Sequence, residues 1–123
     1  EPTRDLAEQV FTALQDFTKY VDNPRLHIAL AAGGEIPGSK EAKIEKQLKS
    51  GVDILVGTLG KLCGLVKSKA LDLSSIRFFI LDEADQLVST DNYRDVMELF
   101  GKCPGGGTGQ HRLQVGTVEL SIV

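Results

Sequence analysis

Short apolar runs that stop abruptly at a glycine, threonine or aspartate, separated by stretches of helical period, constrain this chain more than any other feature. Residues 28–32 end at Gly33-Gly34, residues 52–56 at Gly57-Thr58, and residues 77–81 at Asp82. Runs of this length, almost wholly apolar apart from Asp53 and Arg77, are what strands buried on both faces require. Between them the period changes. Leu6, Val10, Phe11, Leu14 and Phe17 fall on one side of a helix that Thr3 is placed to cap and Asn23-Pro24 stops. A second helix is expected from Ser39, with Ile44 and Leu48 four apart and Gly51 as its end. Leu62, Leu65 and Val66 predict a short third helix, and Val96, Leu99 and Phe100 another. A glycine-rich loop at residues 104–109 and an apolar stretch at 113–118 complete the pattern. Strands alternating with helices predict an α/β fold with a mostly parallel sheet covered on both faces. In such sheets ligands bind at the carboxyl ends of the strands.

The chain has 123 residues, enough for one compact domain and too few for two. Hydrophobic residues make up 41% and charged residues 25%, the balance of a globular chain rather than a disordered one. Its longest apolar runs, 28–32 and 78–81, fall far short of a membrane span. It begins with Glu1-Pro2 and carries no signal-peptide pattern, so it is expected to be a piece of a longer protein. A net charge of −3 argues against a broad basic face for nucleic acid, and any such contact must come from a few placed groups. Cys63 and Cys103 have neither metal nor redox spacing and are expected to be reduced thiols in a reducing compartment.

The strongest local signal is Phe78-Phe79-Ile80-Leu81-Asp82-Glu83-Ala84-Asp85. A buried strand that delivers Asp-Glu to the sheet's edge suits nucleotide hydrolysis. The first carboxylate can hold Mg²⁺ through water, and the second can orient and deprotonate the attacking water. Acidic residues also open helices, where they meet the positive end of the dipole. Four apolar residues in front and Ala-Asp behind favour the catalytic alternative.

Asp82-Glu83-Ala84-Asp85 resembles the name-giving motif of the DEAD-box RNA helicases. Pro2-Thr3-Arg4-Asp5-Leu6-Ala7-Glu8-Gln9 looks like their motif Ia, Gly33-Gly34 like the GG motif, and Thr58-Leu59-Gly60-Lys61 like a degenerate motif Ib. Each is weak alone; four in order are specific. The stretches 21–24, 51–58 and 71–74 are most similar to the subfamily called DEAD-box protein one, in which a SPRY domain is inserted before motif Ia. The resemblance spans residues 1–115 and implies part of a RecA-like helicase domain. About four parallel strands with flanking helices are expected, without the central first strand, and residues 116–123 are a divergent tail.

That resemblance implies ATP and Mg²⁺ as cofactors. Asp82 would bind Mg²⁺ through water, Glu83 would be the general base, and Asp85 would link the nucleotide site to motif III. Thr3, Arg4, Gly34, Thr58, Gly60 and Lys61 would hold the sugar-phosphate backbone of one RNA strand. Helix starts and glycine turns offer N–H groups to phosphate without reading sequence. Each of these residues also has a structural alternative: Thr3 as a cap, Gly33-Gly34 as a turn, Gly60 as a helix start. The partners implied are RNA, a second RecA-like domain and no membrane, in the nucleus or cytoplasm.

Three departures qualify the pattern. The chain contains no Gly-x-x-x-x-Gly-Lys-Ser/Thr, so the main phosphate cradle is absent from it. Leu59 and Lys61 replace the proline and arginine of motif Ib, and lysine lacks the two-pronged phosphate grip. A Ser-Ala-Thr motif is expected soon after Gln114-Val115, where the chain reads Gly116-Thr117-Val118-Glu119-Leu120-Ser121. The functional expectation is therefore an ATP-dependent RNA helicase for the longer protein. The competing one is an inactive piece that binds RNA or protein weakly. A different helicase or DNA-directed ATPase is disfavoured by Ala84-Asp85 and by motif Ia.

Overall fold

The computed structural model describes residues 3–21, 23–33, 39–87, 91–104 and 114–118, with side chains described for all of these except 39–41 and 114–118. Gly34, the loop at 105–109 and residues 119–123 lie outside the described residues. The elements run α1 (Arg4–Thr18), β1 (Ile28–Ala31), α2 (Ser39–Ser50), β2 (Ile54–Gly57), α3 (Leu59–Lys67), β3 (Phe78–Asp82), α4 (Ala84–Leu87), α5 (Tyr93–Gly101) and β4 (Gln114–Val118). The expected alternation is present. Thr3 caps α1, its Oγ1 accepting the Leu6 N–H at 3.4 Å. Gly51 follows α2 at φ +96°, a left-handed conformation that glycine adopts without a Cβ clash.

Among the described residues the four strands form two parallel pairs. Ile28 stands opposite Ile54 in the first pair, and Phe78 opposite Gln114 in the second. β4 runs on through residues 116–118, where the sequence pattern predicts a divergent tail. The core lies on the first pair. Ala29, Ala31, Ile44 and Leu65 are buried together, and Leu48, Val52, Leu55, Leu62, Ala70 and Leu71 pack around them. Small residues on β1 let the α2 and α3 side chains reach the strand backbone. A second buried group contains Cys63, Val96, Leu99 and Cys103. It lies where α3 meets α5, and Phe79 and Phe100 add an edge-to-face contact with centroids 6.0 Å apart.

Three expectations are corrected here. Phe17, read as part of the apolar stripe of α1, is 75% exposed, and the buried residue of that helix is Ala7. The apolar run of β3 is not covered on both faces by described residues. Phe78 and Ile80 are exposed while Phe79 and Leu81 are half-buried, the alternation that a pleated strand with one packed face shows. Strand β2 begins at Ile54, two residues later than its sequence pattern implies.

Candidate functional site

Parallel pairing puts the carboxyl ends of β1 and β2 on one edge, and the helices turn their starts toward it. A cleft of about 700 Å³ at the opposite edge shows this. Gln15 and Thr18 from the end of α1, and Gln47 and Ser50 from the end of α2, line it together with Ile28 and Val52 at the strand starts. Both helices therefore run antiparallel to the strands they cover, with their N-termini toward the carboxyl edge. Helix α3 begins directly beyond β2 on that edge. Unsatisfied N–H groups and the positive dipole ends of three helices are thereby turned one way.

Of the expected phosphate-contacting residues, Thr3, Arg4, Thr58, Gly60 and Lys61 sit toward this edge, with different freedom, and Gly34 lies outside the described residues. The Thr58 N–H donates to the Ala31 carbonyl at 3.0 Å, so its backbone is committed to tying β2 to β1. Its side chain makes no capping hydrogen bond at α3, which leaves the hydroxyl as the group it can offer. Gly60 is exposed in the first turn of α3, with nothing beyond its chain neighbours and its own helix backbone within 4 Å of where a Cβ would sit. Its N–H and that of Leu59 have no acceptor within the helix. Gly33 is open in the same way. Gly57, just before Thr58, is crowded: a Cβ there would lie 2.8 Å from the Ala31 oxygen and from Leu62 Cδ2. Thr3 uses its oxygen as a cap and keeps its hydroxyl proton as a donor. Arg4 pairs through Nε with Glu8 Oε1 at 2.8 Å, and Lys61 is half-buried and also engaged. Phosphate must therefore compete with Glu8 for the Arg4 guanidinium.

The acidic turn forms a separate cluster at the end of β3. Asp82 is the last residue of the strand and half-buried, and its Oδ1 accepts the N–H of Glu83 at 3.1 Å. The Glu83 carbonyl accepts from the Gln86 and Leu87 N–H groups at 3.0 and 3.2 Å and so opens α4. Leu87, 2% exposed, pins that helix beneath the turn. Asp85 is exposed in the first turn of α4. With Oδ1 occupied, Asp82 has Oδ2 left for a hard cation held through water. One or two carboxylates with retained waters suit Mg²⁺, and among the described residues no denser cluster of metal ligands exists. The turn fits Mg²⁺ in that manner. Residues 1–123 contain no Gly-x-x-x-x-Gly-Lys-Ser/Thr cradle for a nucleotide's phosphates.

Sequence reasoning missed two residues that support this arrangement. Asp53 ties the strand starts together, its Oδ2 accepting the His27 N–H at 2.7 Å. Leu87 anchors the acidic turn; its place four residues after Glu83 in an apolar-ended helix is the signal that could have found it.

Comparison with known proteins agrees with this arrangement. The chain is 46% identical over 106 residues to the probable ATP-dependent RNA helicase ddx1 of Dictyostelium discoideum, covering 86% of this chain and 13% of that protein. It is 41% identical over 115 residues to the ATP-dependent RNA helicase DDX1 of Xenopus laevis, covering 94% of this chain and 15% of that one. The chain thus spans about a seventh of the length of these relatives. Among solved structures it is similar to the yeast DEAD-box splicing factor Prp28, with a TM-score of 0.79 and 27% identity over 95% of this chain and 26% of the other. A hypothetical ATP-dependent RNA helicase from Sulfolobus tokodaii gives a TM-score of 0.73. The fold of β1 to β4 with their helices is therefore RecA-like. The family model for the DEAD/DEAH box helicases matches residues 1–117, from the capped start of α1 through the acidic turn into β4, and the chain belongs to that family.

Proposed function

We propose that this chain is the part of an ATP-dependent RNA helicase that carries the water-activating turn and one strip of the RNA-backbone surface. The observation that carries the proposal is the end of β3, where Asp82 and Glu83 emerge adjacent, half-buried and held by α4. In that reading Asp82 holds Mg²⁺ through water, and the ion when bound offsets phosphate charge. Glu83 orients the attacking water and takes its proton. Asp85 connects this turn to motif III. Thr3, Arg4, Gly34, Thr58, Gly60 and Lys61 grip RNA phosphates without reading bases, and a second RecA-like domain supplies the facing half of the groove.

The test uses two chains. Residues 1–123 alone are expected to hydrolyse ATP far below the roughly 1 per second of a working phosphotransfer enzyme, because the phosphate cradle is outside them. In a longer chain that joins these residues to a phosphate loop and a second helicase domain, Glu83→Gln should abolish turnover and leave ATP binding nearly intact. The amide keeps the shape but accepts no proton. Turnover close to that of the unsubstituted longer chain would remove Glu83 from the role of base.

A further inference from the structure

Among the described residues three positions have a left-handed backbone: Gly51 at φ +96°, Lys69 at φ +60° and Glu83 at φ +51°. Two of them end helices. Gly51 closes α2, and Lys69 closes α3, where the Ala70 and Leu71 N–H groups return to the Leu65 carbonyl at 2.9 and 3.1 Å. A left-handed residue just past a helix is the ordinary way to satisfy its last carbonyls. Glu83 is different. It precedes a helix and follows a strand, and a side chain with a Cβ is disfavoured in this conformation.

Three hydrogen bonds and one buried anchor hold it there: the Glu83 N–H to Asp82 Oδ1, the Gln86 and Leu87 N–H groups to the Glu83 carbonyl, and Leu87 in the core beneath. None of these uses the Glu83 side chain. The backbone geometry would be met by glycine, or by asparagine, which tolerates this region, with less strain. We propose that Glu83 occupies a strand-to-helix turn built for glycine or asparagine and remains glutamate because its carboxylate is used, so that stability is forgone at the point of the chemistry. Strain of this kind persists where surrounding structure over-determines it, and it gathers at functional sites. The second half of the inference rests on the role proposed for the Glu83 carboxylate; the first half does not.

Urea unfolding of the 123-residue chain tests the backbone. Glu83→Gly and Glu83→Asn should each shift the folding equilibrium toward the folded state by about two- to fivefold, as should Lys69→Gly at the helix end. Ala13→Gly, inside α1, should shift it about fivefold the other way. Glu83→Gln should leave it unchanged, which separates backbone strain from loss of charge. A Glu83→Gly that destabilises as Ala13→Gly does overturns the inference. A negative φ at residue 83 in a crystal structure of the longer chain overturns it as well, independently of any unfolding measurement. A stabilising Glu83→Gly together with full turnover in Glu83→Gln overturns the role of the carboxylate, and with it the exchange of stability for chemistry.

Discussion

The Asp53 carboxylate accepts the His27 N–H at 2.7 Å while its own N–H donates to the His27 carbonyl at 2.8 Å. One residue thereby sets the register in which β1 and β2 begin. Because Asp53 is exposed, solvent screens part of this contact. Asp53→Ala should cost on the order of 1 kcal/mol in urea unfolding, and Asp53→Asn, which retains an oxygen acceptor, clearly less. Equal losses from the two would show that the bond to His27 does not matter. This clamp was not legible in the sequence. Asp53 falls inside an apolar run that reads as strand from residue 52, and its partner stands 26 positions away. Pairing at that distance leaves no periodic trace, whereas Thr3, whose partner Leu6 is three residues on, was readable as a cap.

At the scale of elements, helices and strands were legible because each carries its own period, while their depth of burial was not. A stripe of large apolar residues implied that Phe17 packs, yet the tight place on α1 belongs to Ala7. Close approach selects small side chains, and hydrophobic weight does not register that. Likewise β3 reads as buried throughout because Phe78, Phe79, Ile80 and Leu81 are all apolar, although only alternate residues are packed among the described ones. The acidic motif was legible by residue type, but its support was not. Helix α4 is one turn long and holds through Leu87. Leu87→Ala should therefore cost about 2–5 kcal/mol, the range for emptying a buried leucine site. It should also slow turnover in the longer chain, since the Glu83 carbonyl loses the helix it opens. A loss within the usual surface range of about 0.5 kcal/mol would show that the turn does not depend on that anchor.

For the molecule as a whole, two buried thiols and a sparse set of charges decide how it responds to its surroundings. Burial raises the Cys63 thiol above its ordinary 9.0, with Asp95 and Glu98 adding to the effect, and burial raises Cys103 too. An acid whose folded value is raised stabilises the fold fully below its unfolded value. That contribution is lost as pH rises through the folded one. Unfolding midpoints should thus fall as pH passes about 9, and less steeply in the Cys63→Ala/Cys103→Ala chain. Identical pH profiles would remove the thiols from the account. In the proposed role, RNA binding would draw on Arg4 and Lys61 as its only charged contacts. On single-stranded RNA the log-log salt slope should be roughly −1 to −2, with poly-U and mixed sequences bound alike. A steeper slope or a sequence preference would show that other groups do the binding. The arrangement of α1, α2 and α3, with their N-termini turned to one edge of a chain whose net charge is −3, has a kinetic consequence. Helix-end potentials fade within about a turn, whereas net charge acts out to the Debye length of about 10 Å at ordinary salt. In the proposed RNA-binding role, a strand approaching residues 1–123 would meet repulsion at long range and attraction only on contact. Encounter should then fall below the roughly 10⁵–10⁶ M⁻¹s⁻¹ typical of neutral partners, and affinity at this edge would be set by how slowly the strand leaves.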